Sequence, residues 1–182
     1  MSSIEQLLYN PRTSSFLGCS LQQQWADLAV WEEFFKHRAL GSVIELGTGY
    51  CGMSVFFLLQ CIQRGFEFYT VDIKKNSRLG LPLAQRLHLS DYFTQIDIFE
   101  DPSVVESMIK LSRKPTMLFC DDGKKPKEFE LFVPALEKGD YVAVHDWLRE
   151  INEDDVEGFS IEPILGEECE VWNSLTRFWR IK

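Results

Sequence analysis

Gly47, Gly49 and Gly52 stand between the apolar runs "SVIEL" and "MSVFFLLQCI", with Glu45 just ahead of them. This G-x-G-x-x-G spacing lets a backbone turn sharply and lets a ligand approach it closely. Asp72 follows 25 residues after Gly47 and closes a second apolar run, "FEFYTVDI". The two oxygens of a carboxylate placed there match the two hydroxyls of a ribose. Asp97 in "QIDIF", the pair Asp121-Asp122 in "CDDGKK" and the pair His145-Asp146 in "VAVHDW" end three further runs. Carboxylates and an imidazole gathered at strand ends can hold a cation, recognise a polar ring or move a proton.

Two ligands fit a glycine loop of this kind, and they need opposite electrostatics. A pyrophosphate seeks free backbone N–H groups and no nearby negative charge. S-adenosylmethionine (SAM) has no phosphate and carries an ammonium and a sulfonium, which acidic groups attract. Glu45, two residues before the first glycine, is expected to face the ligand and therefore to favour SAM over a dinucleotide. In this reading the glycines serve a steric purpose. After residue 40 there is also little room for the separate substrate domain that many dehydrogenases carry.

The elements that must position these residues follow from the pattern. Leu21, Trp25, Leu28, Trp31 and Phe35 recur at helical spacing and predict a helix from Leu21 to Arg38, capped by Ser20. Beyond Gly41, five strand-like runs alternate with helical ones: "SVIEL", "FEFYTVDI", "YFTQIDIF", "PTMLFCDD" and "GDYVAVHDW". The intervening helices include "LGLPLAQRLHL", "DPSVVESMIKL" and "PKEFELFVPALEK", the last broken at Pro134. This alternation predicts an α/β, Rossmann-like doubly wound sheet. "LREINEDDVEG" reads as an exposed loop or short helix. "FSIEPIL" and "SLTRFWRIK" then read as strands with no helix between them, hence antiparallel. The expectation is a mostly parallel sheet of about seven strands with an antiparallel strand near the C-terminus. It forms a single domain over residues 1–182, in which residues 1–40 are a helical extension and "NPRTSS" a turn-rich connector.

Composition narrows the partners. The chain has 182 residues, enough to bury a core, and a formal net charge of −9 that repels polyanions. The basic stretches "GKKPK" and "RFWRIK" are short, so no nucleic-acid partner is expected. The 5 cysteines form no C-x-x-C pair and read as free thiols in a reducing compartment. "MSSIEQLLYNPRTSS" lacks the features of a signal peptide, and the apolar run Met53–Ile62 is too short to cross a bilayer. A cytoplasmic protein with no membrane partner is the expectation.

The core "VIELGTG", "YTVDI", "IDIF" and "DYVAVHDW" resembles that of the class I SAM-dependent methyltransferases. "LQQQWADLAVWEEFF" followed by "VIELGTGYCGMSVFFL" is similar to the cephalosporin hydroxylase and rhamnosyl O-methyltransferase-like family, over roughly Leu21 to Trp147. The resemblance implies SAM as cofactor, held by Glu45, Gly47, Thr48, Gly49, Ser54, Asp72, Ile73, Asp97 and Asp121. It also implies a magnesium or other divalent ion on carboxylates matched here by Asp121 and Asp146, with Asp122 as a further candidate. The chain departs from the family pattern twice, with Lys124 where a histidine is expected and His145 in place of an oxygen ligand. Imidazole suits softer metals than magnesium.

Two routes to activating an acceptor hydroxyl follow. Asp121 and Asp146 hold a cation that binds it, or His145 acts as general base, with Lys124 as a further base candidate. The expected activity is O-methylation of a small molecule such as a sugar or other polyhydroxy acceptor, with or without a metal. The alternatives are a SAM-fold binding module without turnover and an NAD(P)-dependent oxidoreductase. Homo-oligomerisation is left open by the sequence.

Overall fold

The computed structural model describes residues 14–74 and 81–182. In chain order these form the hairpin β1 (Ser14–Phe16) and β2 (Cys19–Leu21), helix α1 (Trp25–His37), β3 (Ser42–Leu46), α2 (Gly52–Arg64) and β4 (Glu67–Asp72). There follow α3 (Pro82–Arg86), β5 (Phe93–Gln95), α4 (Pro102–Leu111), β6 (Thr116–Cys120), α5 (Lys125–Phe132) and β7 (Tyr141–Val144). The C-terminal part contains α6 (Glu153–Val156), β8 (Ile161–Ile164), α7 (Gly166–Val171) and β9 (Arg177–Ile181). The connector residues 10–13 and the start of the expected "LGLPL" helix lie outside the described residues.

Strands β3 to β9 make one seven-stranded sheet in the order β5-β4-β3-β6-β7-β9-β8. The neighbouring pairs from β5 to β7 are parallel. β9 runs antiparallel to both β7 and β8. Every residue of β3 and of β6 is buried, as expected for central strands covered on both faces. Strand order reverses beside β3: β4 and β5 lie on one side, β6 and β7 on the other. The crevice beyond the carboxyl ends of β3 and β6 is where open α/β sheets bind ligands.

One face of the sheet packs on α1 and α2, the other on α4 and α5. Trp31 of α1 is fully buried. Its ring lies 4.7 Å from that of Phe57 in α2 and 4.7 Å from that of Phe178 in β9, with Phe119 of β6 at 5.3 Å. Ring pairs of this kind add to an already large burial of apolar area. The first helix is therefore packed into the core beside the last strand. Among the described residues no helix is long and apolar enough to cross a membrane.

Four local expectations are corrected. Ser20 does not cap a helix: Cys19 and Leu21 are buried and Ser20 is half-buried, a period of two that forms β2. Helix α1 starts later, with Gln24 as N-cap and the Asp27 carboxylate accepting the Gln24 N–H at 2.8 Å. β5 stops at Gln95, because the Asp97 side chain accepts from Phe99 N and its carbonyl from Asp101 N, bending the chain into α4. Between β8 and β9 the acidic stretch "GEECEV" forms α7, with Glu167 and Glu168 in the first turn, where the helix dipole favours them.

Candidate functional site

The glycine loop connects β3 to α2, and its neighbours explain its glycines. A Cβ on Gly47, where φ is +94°, would lie 2.6 Å from the backbone oxygen of Asp121 at the end of β6. A Cβ on Gly52 would lie 2.3 Å from the backbone oxygen of Ser20 in β2. So β6 and the hairpin crowd the loop, and only glycine admits them. The loop amides are also engaged from within. Gly47 N and Thr48 N donate to Val71 O at 2.9 and 3.2 Å, Cys51 N to Thr48 O at 2.9 Å, and Gly49 N to Asp72 Oδ2 at 2.9 Å. With these four amides engaged and β2 seated over the start of α2, the loop offers a pyrophosphate fewer of the donors on which it depends.

The expectation that Glu45 faces the ligand is corrected. Its side chain turns into the interior, where the residue is 1% exposed and accepts from Ser54 Oγ at 2.5 Å and Thr70 Oγ1 at 2.6 Å. Thr48 Oγ1 joins the same network at 2.6 Å from Thr70 Oγ1. Burial pushes the Glu45 carboxyl up to about 8, against the lowering effect of the two hydroxyl donors. Glu45, Thr48 and Ser54 therefore brace the loop from beneath, and their side chains do not reach the cleft.

Other carboxylates supply the negative field. A cleft of about 360 Å³ opens above the loop, lined by Gln22, Gly47, Gly49, Asp72, Asp121, Asp122, Gly123, Lys125, His145, Asp146 and Glu150. Its size suits a small ligand. The carboxylates of Asp72, Asp121, Asp122, Asp146 and Glu150 outnumber the cations lining the cleft, Lys125 and His145, and Arg149 reaches Asp146 from outside the lining at 3.8 Å. Asp72 also accepts from Lys74 N at 3.1 Å, so backbone donors fix its orientation at the end of β4.

His145 follows β7 and is 3% exposed. Its Nδ1 lies 3.3 Å from Asp121 Oδ1 and 3.4 Å from Asp146 Oδ2, and its Nε2 lies 3.5 Å from Asp27 Oδ2 without an aligned hydrogen bond. Burial works against the charged ring, but Asp121, Asp146 and Asp27 outweigh it and hold the pKa well above the ordinary imidazole value. Three carboxylates around the ring favour its protonated form, which weighs against the general-base role expected of His145. Asp146 sits at φ +58°, and the His145 hydrogen bond, against burial, brings its carboxyl to about 2.

Lys124 is also corrected as a base. It is exposed, its Nζ lies over the Phe99 ring at 5.3 Å, and it does not line the cleft. Its neighbour Lys125 does line it. Lys125 Nζ lies 2.7 Å from Glu150 Oε2, 3.5 Å from Asp121 Oδ1 and 3.6 Å from Asp146 Oδ2. Burial alone would favour the neutral amine; Asp121, Glu150 and Asp146 outweigh it and raise the pKa above the usual lysine range.

The remaining expected residues divide. Asp121 is central, and Gln23 Nε2 donates to its Oδ2. Asp122 lines the cleft with no ion pair among the described residues, and burial followed by repulsion from Asp72, Asp97 and Asp121 raises it to about 6. Asp97 serves a turn and contributes to the site only through that repulsion. Ile73 is 48% exposed beside Asp72 and does not line the cleft. Sequence reasoning missed Gln22, Gln23, Asp27, Lys125 and Glu150. Only Lys125 carried a local signal, since a lysine opening a helix opposes the helix dipole. It also missed Glu128, whose buried carboxylate accepts from Lys124 N and Asp122 N and fixes the turn after β6.

No family model matches the sequence. The chain is 27% identical over 142 residues to rhamnosyl O-methyltransferases of Mycobacterium tuberculosis and Mycobacterium bovis, a match covering 73% of this chain and 56% of theirs. It thus spans about half the length of the curated relatives it matches. Among solved structures it superposes on the apo structure of CmcI-N160 with a TM-score of 0.70 and 15% identity, covering 100% of this chain and 85% of that one. The SAH complex of cmcI-N160 gives a TM-score of 0.65 and 14% identity over 99% of this chain and 92% of that one.

Proposed function

We propose that this chain, which has the Rossmann-like fold of the class I methyltransferases, transfers a methyl group from SAM to a hydroxyl of a small-molecule acceptor. The observation that carries this is a glycine loop in which the amides of Gly47, Thr48, Gly49 and Cys51 are satisfied internally, set beneath an acidic cleft. That combination suits a phosphate-free cationic ligand and disfavours a dinucleotide. In this reading the Asp72 carboxylate takes the ribose diol, and Ile73, exposed just outside the cleft lining, offers apolar surface to a purine ring that extends past Asp72. The M. tuberculosis relative is named as acting on a rhamnosyl group, so a sugar or other polyhydroxy acceptor is the first class to try.

The reaction is an in-line displacement. A lone pair of the acceptor oxygen forms the new C–O bond as the C–S bond breaks, its electrons stay on sulfur, and the hydroxyl proton leaves. The protein mainly positions the two reactants. Asp72 and Asp122 are the cleft carboxylates without an ion pair among the described residues; both oxygens of Asp72 accept from backbone amides, which leaves Asp122 as the acceptor of that proton in this reading. Asp121, Asp146 and His145 offer ligand atoms all within 4.8 Å of one another, and with the His145 ring deprotonated this donor set would suit a divalent ion softer than magnesium. Such an ion, when bound, lowers the pKa of a coordinated hydroxyl.

The test is calorimetry with S-adenosylhomocysteine (SAH), followed by methyl transfer to a panel of glycosides and catechols with and without Mg²⁺ or Mn²⁺. SAH binding with turnover on a hydroxyl acceptor is expected. Displacement of SAH by a nicotinamide dinucleotide would overturn the reading. SAH binding with no turnover on any acceptor would favour a binding module.

A further inference from the structure

Three carboxylates of the cleft converge on one ammonium group. Lys125 Nζ contacts Glu150 Oε2 at 2.7 Å, Asp121 Oδ1 at 3.5 Å and Asp146 Oδ2 at 3.6 Å, and its side chain is 3% exposed. His145 Nδ1 reaches the same two aspartate oxygens at 3.3 and 3.4 Å. The carboxylates that a divalent ion would need are thus already gripped by two nitrogen groups of the protein. Lys125 is also the first residue of α5, where the helix dipole disfavours a cation. Its burial at that position needs strong compensation, and the convergent carboxylates provide it.

We propose that Lys125 is the resident cation of this site: its ammonium takes the place between Asp121 and Asp146 that a divalent ion would occupy, and such an ion binds only by displacing it. This rests on the reading of the cleft as a cation site and adds which cation holds it. A divalent ion close enough to bond both oxygens would stand within a few ångströms of Nζ, and at that range in a part-buried cleft like charges repel strongly. The site then keeps a positive group beside the reacting oxygen whether or not metal is present.

The experiment is Mn²⁺ binding, followed by electron paramagnetic resonance of the free ion, on the wild type, Lys125→Met and Lys125→Met/Asp146→Asn. The expected result is weak binding by the wild type, an affinity gain of about tenfold or more in Lys125→Met, and loss of that gain in the double variant. Equal affinities in wild type and Lys125→Met overturn the proposal. Loss of the ammonium could unfold the variant, so the wild type is also decisive alone. One Mn²⁺ bound per chain at micromolar concentration overturns the proposal, and no binding up to millimolar concentration supports it. SAH calorimetry on the same sample separates this from the functional reading. Absent SAH binding removes the methyl-transfer reading and leaves the cation assignment standing, whereas tight Mn²⁺ binding by the wild type does the reverse.

Discussion

Asp27 Oδ2 lies 3.5 Å from Nε2 of His145, joining the first turn of α1 to the residue that follows β7. The other oxygen, Oδ1, accepts from Ser174 Oγ at 2.6 Å, Leu175 N at 2.9 Å, Thr176 N at 3.1 Å and Thr176 Oγ1 at 3.1 Å. One fully buried carboxylate therefore ties the N-terminal helix, the cleft and the approach to β9 together. Burial disfavours its charge, but His145 and Ser174 outweigh that and lower its pKa.

Replacing Asp27 with Ala removes one of the three carboxylates around a buried imidazole ring and leaves Leu175 N without its acceptor, while Thr176 N keeps only Ser174 Oγ. The expected loss is about 3–5 kcal/mol of unfolding free energy, read from urea denaturation. Asp27→Asn keeps one acceptor and is expected to lose less. An unchanged midpoint in both variants contradicts the role given to this carboxylate.

Glu45 makes stability depend on pH in a direction unusual for a carboxylate. Its folded pKa, about 8, lies above the ordinary glutamate value. Its contribution is therefore full below that ordinary value and is lost as pH rises through about 8. Glu45→Gln retains an oxygen for Ser54 and Thr70 and removes the titration. Urea midpoints measured from about pH 5 to 9 are expected to fall less steeply in the variant than in the wild type. Parallel curves would show that the group does not titrate in this window.

Asp72→Ala removes the acceptor that orients Gly49 N and, on the proposed reading, the ribose. SAH affinity measured by calorimetry is expected to fall by roughly 1.5–3 kcal/mol for a charge-assisted bond. Retained affinity would place the ribose elsewhere.

Adjacent lysines separate a surface role from a role in the site. Lys124→Ala removes only a cation over the Phe99 ring, and is expected to leave SAH affinity and turnover within about twofold. A large loss of turnover in this variant would restore Lys124 as a candidate base.

The strand-and-helix alternation was legible because β3 and β6 are short, mostly apolar runs and glycine, proline and aspartate punctuate the segments between them. The positions of Asp72, Asp121 and Asp146 at strand ends followed from the same pattern. The sense of Glu45 was not legible. Its place before the glycines says where its backbone lies, but the inward turn depends on Ser54 and Thr70, which reach it from α2 and β4. The choice of Lys125 over Lys124 was equally hidden, because it depends on which of two neighbours the turn after β6 aims inward, and Glu128 fixes that turn from within α5. Asp27 gave no sign of its role, since its partners lie at the far end of the chain.

The latch at Asp27 bears on attempts to reduce the molecule. A chain cut to begin at Gly41 would keep every strand of the seven-stranded sheet and the whole glycine loop, and would look like a complete minimal unit. It would nevertheless expose Phe57, Phe119 and Phe178 where Trp31 had covered them, and leave the turn before the last strand without its acceptor. Miniaturisation from this end would dismantle the cleft along with the scaffold.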